Sequence, residues 1–356
     1  MRYKLSDICS FRKGKVEVNS LNRGNYVSTE NMLINKGGKT EASSLPNIAL
    51  TQEFKKGDVL VSNIRPYFKK IWRAKCDGGC SNDVLVFQAN VNINKGFLYY
   101  VLANDEFFNY SMMTSKGTKM PRGDKFAIMQ YEVPNFDLNT QQKITRLLES
   151  IDEKIELNNA INDNLQQQAQ AIYASMFVDN ADPTWQQGHL SDLVTVRYGK
   201  DHKKLTDGIY PVYGSGGIMR HVERPLYDKE SVLIPRKGTL NNVMYVNQPF
   251  WSVDTMFYTE MRLPNVAKFV YHFVKAKDLA SMNAGSAVPS MTTDILNAME
   301  VAIPPASVLE EFESLVAPMY RAMQENDAQS NKLADLRDTL LPKLMSGEID
   351  VSVIQL

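Results

Sequence analysis

Leu5-Ser6-Asp7, followed by Arg12-Lys13-Gly14-Lys15, returns as Leu190-Ser191-Asp192 followed by Arg197-Tyr198-Gly199-Lys200, 185 residues further on. Later landmarks keep the same order: Asp58-Val59-Leu60 answers Ser231-Val232-Leu233, and Ser81-Asn82-Asp83 answers Ser252-Val253-Asp254. Gly117 with Pro121 answers Gly285 with Pro289, the offset having fallen to 168. Solenoid repeats run to roughly 20–50 residues, so a period this long makes the repeated unit a whole domain. Two similar domains imply two similar sites.

Each copy closes on a long helical segment. Ile151, Ile155, Asn158, Asn162, Leu165, Ala169, Ile172 and Met176 follow one another at steps of four and three, the a/d seam of a coiled coil. Met319, Met323, Asn326, Ser330, Leu333, Leu340 and Leu344 repeat it, with Arg337 interrupting. Polar seam positions fix register and orientation at a cost in stability. Asn139-Thr140-Gln141-Gln142 and Ser307-Val308-Leu309-Glu310 have the spacing of capping boxes and mark the expected helix starts. Pro318 and Pro342 predict a kink or break in the second helix. Roughly 38 helical residues reach about 57 Å. A globular domain lies between the two segments, so antiparallel pairing within the chain is the simplest closure, related by an approximate twofold axis. Taken alone, the helices read equally as a dimerisation coiled coil; the duplicated flanking domains weigh against that.

Before each helix, short β-rich runs such as Val84-Leu85-Val86-Phe87 and Val232-Leu233-Ile234 lie between Gly, Asn, Asp and Pro clusters. Residues 96–102 and 267–273 predict short helices. The expected fold class is α+β: two similar mixed α/β domains joined by two long antiparallel coiled-coil helices. The domains span 1–138 and 184–306, and helix-bearing segments span 139–183 and 307–356, with Asp179-Asn180-Ala181-Asp182-Pro183 as linker. The 356 residues and 44% hydrophobic content suit two packed cores. Met1-Arg2-Tyr3-Lys4 opens no apolar run and no stretch of 18 apolar residues occurs, so neither a signal peptide nor a membrane span is expected.

Cys9, Cys76 and Cys80 make an odd count that fits free thiols in a reducing, cytoplasmic setting. Cys76 and Cys80 could supply two metal ligands, but zinc needs four, and His189, His202, His221 and His272 form no ligand-spaced pair. No Gly-x-x-x-x-Gly-Lys-Ser/Thr, Gly-x-Ser-x-Gly, His-Glu-x-x-His or Asn/Asp-Pro-Pro-Tyr/Phe segment occurs, so no catalytic motif is visible and no cofactor is expected on this chain.

Net charge is zero, yet the charges are partitioned. Residues 139–183 and 307–338 each carry net −4, whereas 1–138 carry +7 and 184–306 carry +2. Basic domains on acidic helices are the footprint expected when only the domains meet phosphate. In the first domain, Asn63-Ile64-Arg65-Pro66-Tyr67-Phe68-Lys69-Lys70-Ile71-Trp72-Arg73 could neutralise phosphates through Arg65, Lys69, Lys70 and Arg73, or form a strand with one solvated basic face. The loop 115–125 adds Lys116, Thr118, Lys119, Arg122 and Lys125 around Gly117 and Gly123, which permit close backbone approach. The second domain answers with Asn283 and Ser286 in 283–290, keeping the shape of that loop without its lysines. It also offers Tyr213, Ser215 and Arg220 in and beyond the turn-rich 210–218, and Arg236, Lys237, Thr239 and Asn241, where Arg suits guanine edges and Asn adenine edges. One scaffold with different tips is what two readers of different sequences would show.

The tandem Leu-Ser-Asp starts, Tyr-Pro-Val-Tyr-Gly-Ser-Gly-Gly-Ile at 210–218, Leu-Leu-Pro-Lys-Leu-Met-Ser-Gly-Glu-Ile at 340–349 and the paired helices together resemble the specificity subunit of Type I restriction-modification systems. The resemblance implies two target-recognition domains, each reading half of a split, non-palindromic site in double-stranded DNA, with the helices as a ruler separating the halves by about one duplex turn or slightly more. It further implies two methyltransferase subunits that carry S-adenosylmethionine, and two motor-nuclease subunits completing the restriction complex. The excess charge of the first domain implies the less selective phosphate grip. Members with an extra segment before the first domain run longer, so a shortened or recombined variant is the alternative within the family. Outside it, a non-DNA scaffold with two interaction domains explains the helices but not the charge partition.

Overall fold

The computed structural model describes residues 2–282 and 290–351. They divide between two compact units, Met1–Asn158 with Ala328–Leu356, and Asn159–Asp327. The first contains β1 (Arg2–Lys4), α1 (Leu5–Ile8), β2 (Cys9–Phe11), β3 (Lys15–Glu17), β4 (Tyr26–Val27), β5 (Leu50–Phe54), β6 (Val59–Ser62), β7 (Ile71–Arg73), β8 (Gly78–Cys80), β9 (Val84–Ala89), α2 (Lys95–Ala103), α3 (Asp105–Met113), α4 (Lys125–Ile128) and β10 (Glu132–Pro134). After the long helix α5 (Leu138–Ala174), the second contains β11 (Gln186–His189), α6 (Leu190–Leu193), β12 (Val194–Tyr198), β13 (Asp207–Gly214), β14 (Gly217–Val222), β15 (Ser231–Pro235), β16 (Met244–Val246), β17 (Trp251–Ser252), β18 (Met256–Met261), α7 (Ala267–Lys275), α8 (Thr293–Asn297) and β19 (Glu300–Ile303). The second long helix, α9 (Ala306–Ser346), and α5 each contribute to both units. The fold class is α+β.

The repeated Leu-Ser-Asp has a local cause. Asp7 accepts from the Lys4 amide at 2.9 Å and Asp192 from the His189 amide at 2.8 Å, capping α1 and α6, while Leu5 and Leu190 are fully buried. The apolar runs become central strands. In the sheet β2-β9-β6-β7, Leu85 and Phe87 pack with the α2 side chains Phe97 and Val101, whereas Val84 and Val86 pack on the opposite face with Phe54 and Cys80. The sheet β12-β18-β15-β16 does the same, Val232, Ile234 and Phe257 facing the helices and Leu233, Met256 and Tyr258 facing Val212 and Phe250. Side chains alternate between faces with period two, so a strand apolar at every position is one covered on both sides.

Within the first unit Asp152 meets Arg337 at 2.8 Å and Asn158 donates to Gln329 at 2.9 Å. Within the second, Asn162 donates to Asp327 at 2.8 Å and accepts from Asn326 at 2.8 Å. Numbers rise on α5 as they fall on α9, and in the second unit Gln166 meets Tyr320 beyond Asn162, so each pairing is antiparallel. Arg337, which interrupts the seam in sequence, is an ion-paired member of it. The caps are shifted: α5 begins at Leu138 with Asp137 accepting from the Thr140 amide at 2.8 Å, and α9 begins at Ala306, one residue before Ser307. The break anticipated at Pro318 and Pro342 does not occur, since α9 is one continuous element. A proline forfeits one bond and costs about 3 kcal/mol, and buried Phe312, Val316 and Tyr320 on one side and Leu341 and Leu344 on the other hold the flanking turns.

Each domain is tied to the helices through an equivalent position filled differently. Tyr100 on α2 donates to Asp152 at 2.7 Å, the carboxylate that also binds Arg337. Its counterpart His272 on α7, fully buried, lies 2.8 Å from Gln170 Oε1 through Nδ1 and 2.9 Å from the Tyr320 hydroxyl through Nε2. Gln170 Oε1 can only accept, so Nδ1 carries the proton and Nε2 accepts from Tyr320. Burial, with the Lys275 charge nearby, lowers the His272 pKa to about 4.

The backbone repeats in detail. Ile64 bridges Arg122 as Lys237 bridges Ser290, and the next residues, Arg65 with φ 51° and Gly238 with φ 87°, are both left-handed. Glycine adopts that conformation freely, while arginine carries a strain of about 1–2 kcal/mol. Asn283 and Ser286, with Gly285 and Pro289, lie outside the described residues.

Two outcomes are expected. The unfolded chain takes up the His272 proton first, near the usual 6.5, so stability is full above that pH and falls toward about 4. The loss approaches roughly 3 kcal/mol; the protection factors of the α7 amides, corrected for the intrinsic pH dependence of exchange, should fall over that window in the wild type and show no such step in His272→Gln. In urea unfolding, Gly238→Ala should cost about 1–2 kcal/mol, its Cβ also meeting Ser215 Oγ at 2.7 Å. Arg65→Gly should leave stability within about 0.5 kcal/mol, strain relief being offset by chain entropy.

Candidate nucleic-acid interface

In the first unit, two sequence-predicted segments converge beyond the end of β6. The Arg65 amide donates to Pro121 O at 2.9 Å, the Gly123 amide to Asn63 O at 3.2 Å, and Lys116 and Arg122 exchange both backbone bonds at 2.9 Å. Gly123 is required here, because a Cβ would lie 2.9 Å from Asn63 Oδ1 and 2.8 Å from Ile128 Cδ1. The loop presents exposed Lys116, Thr118, Lys119, Arg122 and Lys125. Asp124 binds Lys116 at 2.6 Å and caps α4 through the Phe126 and Ala127 amides, and the Lys116 hydrogen bond holds its carboxyl below the usual range. Arg122 Nη2 lies 3.1 Å from Asp83. Lys125 borders a cavity of about 180 Å³ shared with Phe11, Arg12, Gln52 and Asn82.

The strip 63–73 is neither a continuous phosphate grip nor one solvated strand face. Left-handed Arg65 and Lys69 bracket a tight turn at Pro66–Phe68, so the four cations diverge. Lys69 pairs with Asp105 at 2.7 Å, and Lys70 donates to Thr29 O at 2.6 Å with its pKa lowered by burial. Arg73 ion-pairs with Glu149 on α5. Arg65 remains with the converging loops, half-buried, its Nε without a hydrogen-bond partner.

The second unit builds the same arrangement beyond β15. The Arg236 amide donates to Thr255 O and the Met291 amide to Arg236 O, both at 2.9 Å, matching the Asn63 amide to Asp83 O and the Gly123 amide to Asn63 O. Asn242 donates to Ser215 O at 2.7 Å, which seats 236–242 against the turn between β13 and β14. Lys237 and Thr239 are exposed, and Ser215 is half-buried beside them. Tyr213 packs edge-on to Phe250. Two further predicted residues are also held within the unit: Asn241 staples the loop to Asp278 and the Ala280 amide, at 3.1 and 2.9 Å, and Arg220 is held by Asp207 at 2.7 Å and Leu205 O at 3.0 Å.

Sequence reasoning missed Tyr198. Half-exposed at the end of β12, it rests edge-on against Phe257 and lies beneath the Arg236 guanidinium, 5.4 Å from ring centre to Cζ. Its signal was the aromatic in Arg197-Tyr198-Gly199-Lys200 where the first copy has Lys13. The described residues contain no group of three or more His, Cys, Asp or Glu able to hold a metal, and no helix long and apolar enough to cross a membrane.

Known proteins share this organisation. The chain is 22% identical to the specificity subunit of the Type I restriction enzyme HindI of Haemophilus influenzae, over 98% of this chain and 99% of that one. It is 23% identical to the MjaIX specificity subunit of Methanocaldococcus jannaschii, over 72% and 69%. The crystal structure of the Type I restriction-modification S subunit from M. genitalium superposes with a TM-score of 0.61 at 17% identity, covering 97% of this chain and 96% of that one, a likeness of fold. The model of the Type I restriction modification DNA specificity domain matches twice, at residues 1–167 and 183–311, and with its two copies bridged alike at Ile64·Arg122 and Lys237·Ser290 the chain belongs to that family of DNA specificity subunits.

Proposed function

We propose that this DNA specificity subunit reads a split, asymmetric site in double-stranded DNA, each unit contacting one half. The observation that carries the reading is the pair of equivalent bridged loops with different side chains at their tips, Lys116, Thr118, Lys119, Arg122 and Lys125 in one unit and Arg236, Lys237 and Thr239 in the other. A repeated scaffold supplies the same approach to the duplex twice, and unlike tips select unlike bases. An asymmetric target follows.

The charge partition assigns partners. Domains of +7 and +2 favour phosphate, and segments of −4 on α5 and α9 do not, which leaves the helices to set half-site spacing and to recruit two methyltransferase subunits. Those subunits would bring S-adenosylmethionine and transfer the methyl group, with two motor-nuclease subunits completing the restriction complex. The sequence carries no motif for holding a flipped base or a nucleoside triphosphate of its own, which supports that division of labour.

Expressed with its modification subunit in a methylation-free host, the chain should direct adenine methylation to one bipartite, asymmetric motif absent when the modification subunit is expressed alone. A soluble complex that marks no motif would overturn the reading. Lys119→Ala and Lys125→Ala should weaken binding uniformly across sequences and each flatten the salt dependence of log K by about 0.9 for every phosphate no longer neutralised, measured by titration at several salt concentrations.

A further inference from the structure

We infer that each unit holds one base-reading arginine over the same turn but supplies it from opposite sides of the repeated bridge: Arg122 in the first unit and Arg236 in the second. The inference rests on the DNA-reading function proposed above. The turn in question precedes the last central strand, at Ser81-Asn82-Asp83 before β9 and at Val253-Asp254-Thr255 before β18, closed by the Val84 amide on Ser81 O and the Met256 amide on Val253 O; the sequence landmarks match it one residue earlier in the second copy.

The positions around it correspond through the backbone. Ile64·Arg122 and Lys237·Ser290 are the equivalent bridges, so Arg236, which precedes Lys237, occupies the place of Asn63, and Ser290 occupies the place of Arg122. Asn63 is buried, 9% exposed, and cannot reach a ligand at the surface. Ser290 is too short to extend from the bridge. Of these two bridge positions each unit therefore fills one with a guanidinium, the facing loop carrying it in the first unit and the strand-exit loop in the second.

Both are oriented before any ligand arrives. Arg122 Nη2 lies 3.1 Å from Asp83 Oδ1 while 58% of its side chain stays open to solvent. Its backbone is fixed by two bonds with Lys116 and by the Ile64 bridge. Arg236 stacks over Tyr198 and donates through Nη1 to Asp254 O at 3.3 Å, with its backbone pinned between Thr255 O and the Met291 amide. A planar guanidinium held by one edge leaves its other N–H groups to bond two acceptors at once, the pattern that guanine O6 and N7 present in the major groove. Tyr198 is then a positioning residue, fixing the plane of Arg236 through its ring, and Asp83 plays that part for Arg122. Flexible lysines such as Lys119 lack such a fixture and suit phosphate.

The test uses the full chain with its modification subunit and reads the methylated motif genome-wide for wild type, Arg122→Gln, Arg236→Gln, Tyr198→Phe and Tyr198→Ala. Arg236→Gln should relax one guanine-containing base pair in one half of the motif, and Arg122→Gln one in the other half, each reducing a discrimination of roughly ten- to hundred-fold to near none. Tyr198→Phe keeps the ring and should leave the motif intact; Tyr198→Ala should relax the same base pair as Arg236→Gln. A merely structural Tyr198 would instead lower methylation at every site without altering the motif. An unchanged motif in both arginine variants, or two changes falling in the same half, would overturn the inference while leaving the DNA-reading function standing. A wild-type complex that marks no motif would overturn both.

Discussion

Coverage of both faces of one four-stranded sheet is the constraint on which each unit depends. Val84, Leu85, Val86 and Phe87 alternate between a helix-facing core and a second sheet, and Met256, Phe257 and Tyr258 do so in the other unit. Every one of these side chains is shielded from water, at about 25 cal/mol for each Å² of apolar surface buried. A slip of one residue would exchange the two faces. The register therefore fixes where β6 and β9, or β15 and β18, end, and those ends carry the loops that converge at Ile64·Arg122 and Lys237·Ser290. Placement of the candidate interface is thus a consequence of core packing.

Much of the fold was legible from the chain alone. The Leu-Ser-Asp repeat, the apolar runs and the two seams each state a local physical requirement: a buried leucine with a carboxylate cap, a strand covered twice, a helix with an apolar stripe. The continuity of α9 was not legible, because two prolines report a local cost while the compensating burial of Phe312, Val316 and Leu344 is tertiary. The caps shifted by a residue or two for a related reason: Asp137 and Asn139 are both good N-caps, and only the packed helix chooses.

The candidate site divides in the same way. Loop 115–125 stood out because glycine and lysine concentrate there, and the structure keeps it exposed. The strip 63–73 was not legible as a shape, since four cations close in sequence are separated by left-handed turns at Arg65 and Lys69 that composition does not announce. Asn241 and Arg220 have the right chemistry for base edges, yet Asp278 and Asp207 engage them. Tyr198 was missed because its partner Arg236 is 38 positions away in the chain and adjacent only through the order β12-β18-β15.

The fastening of each domain to its helices is built from different residues in the two halves. In the first unit Arg73 reaches Glu149 across Gly96, where a Cβ would sit 2.8 Å from the guanidinium. In the second, Tyr245 takes the place of Arg73, and Lys268, at the Gly96 position, binds Glu313 at 2.7 Å. A first domain grafted into the second socket would set Arg73 opposite Ala317 and Tyr100 opposite Tyr320; in the reverse graft Lys268 would keep Glu230 and exchange Glu313 for Thr145 and Glu149. The fastenings lie on the helix-facing side of each domain and the tips on the strand-exit loops, so new specificities can arise by changing loops while the joints that carry the two readers are left untouched.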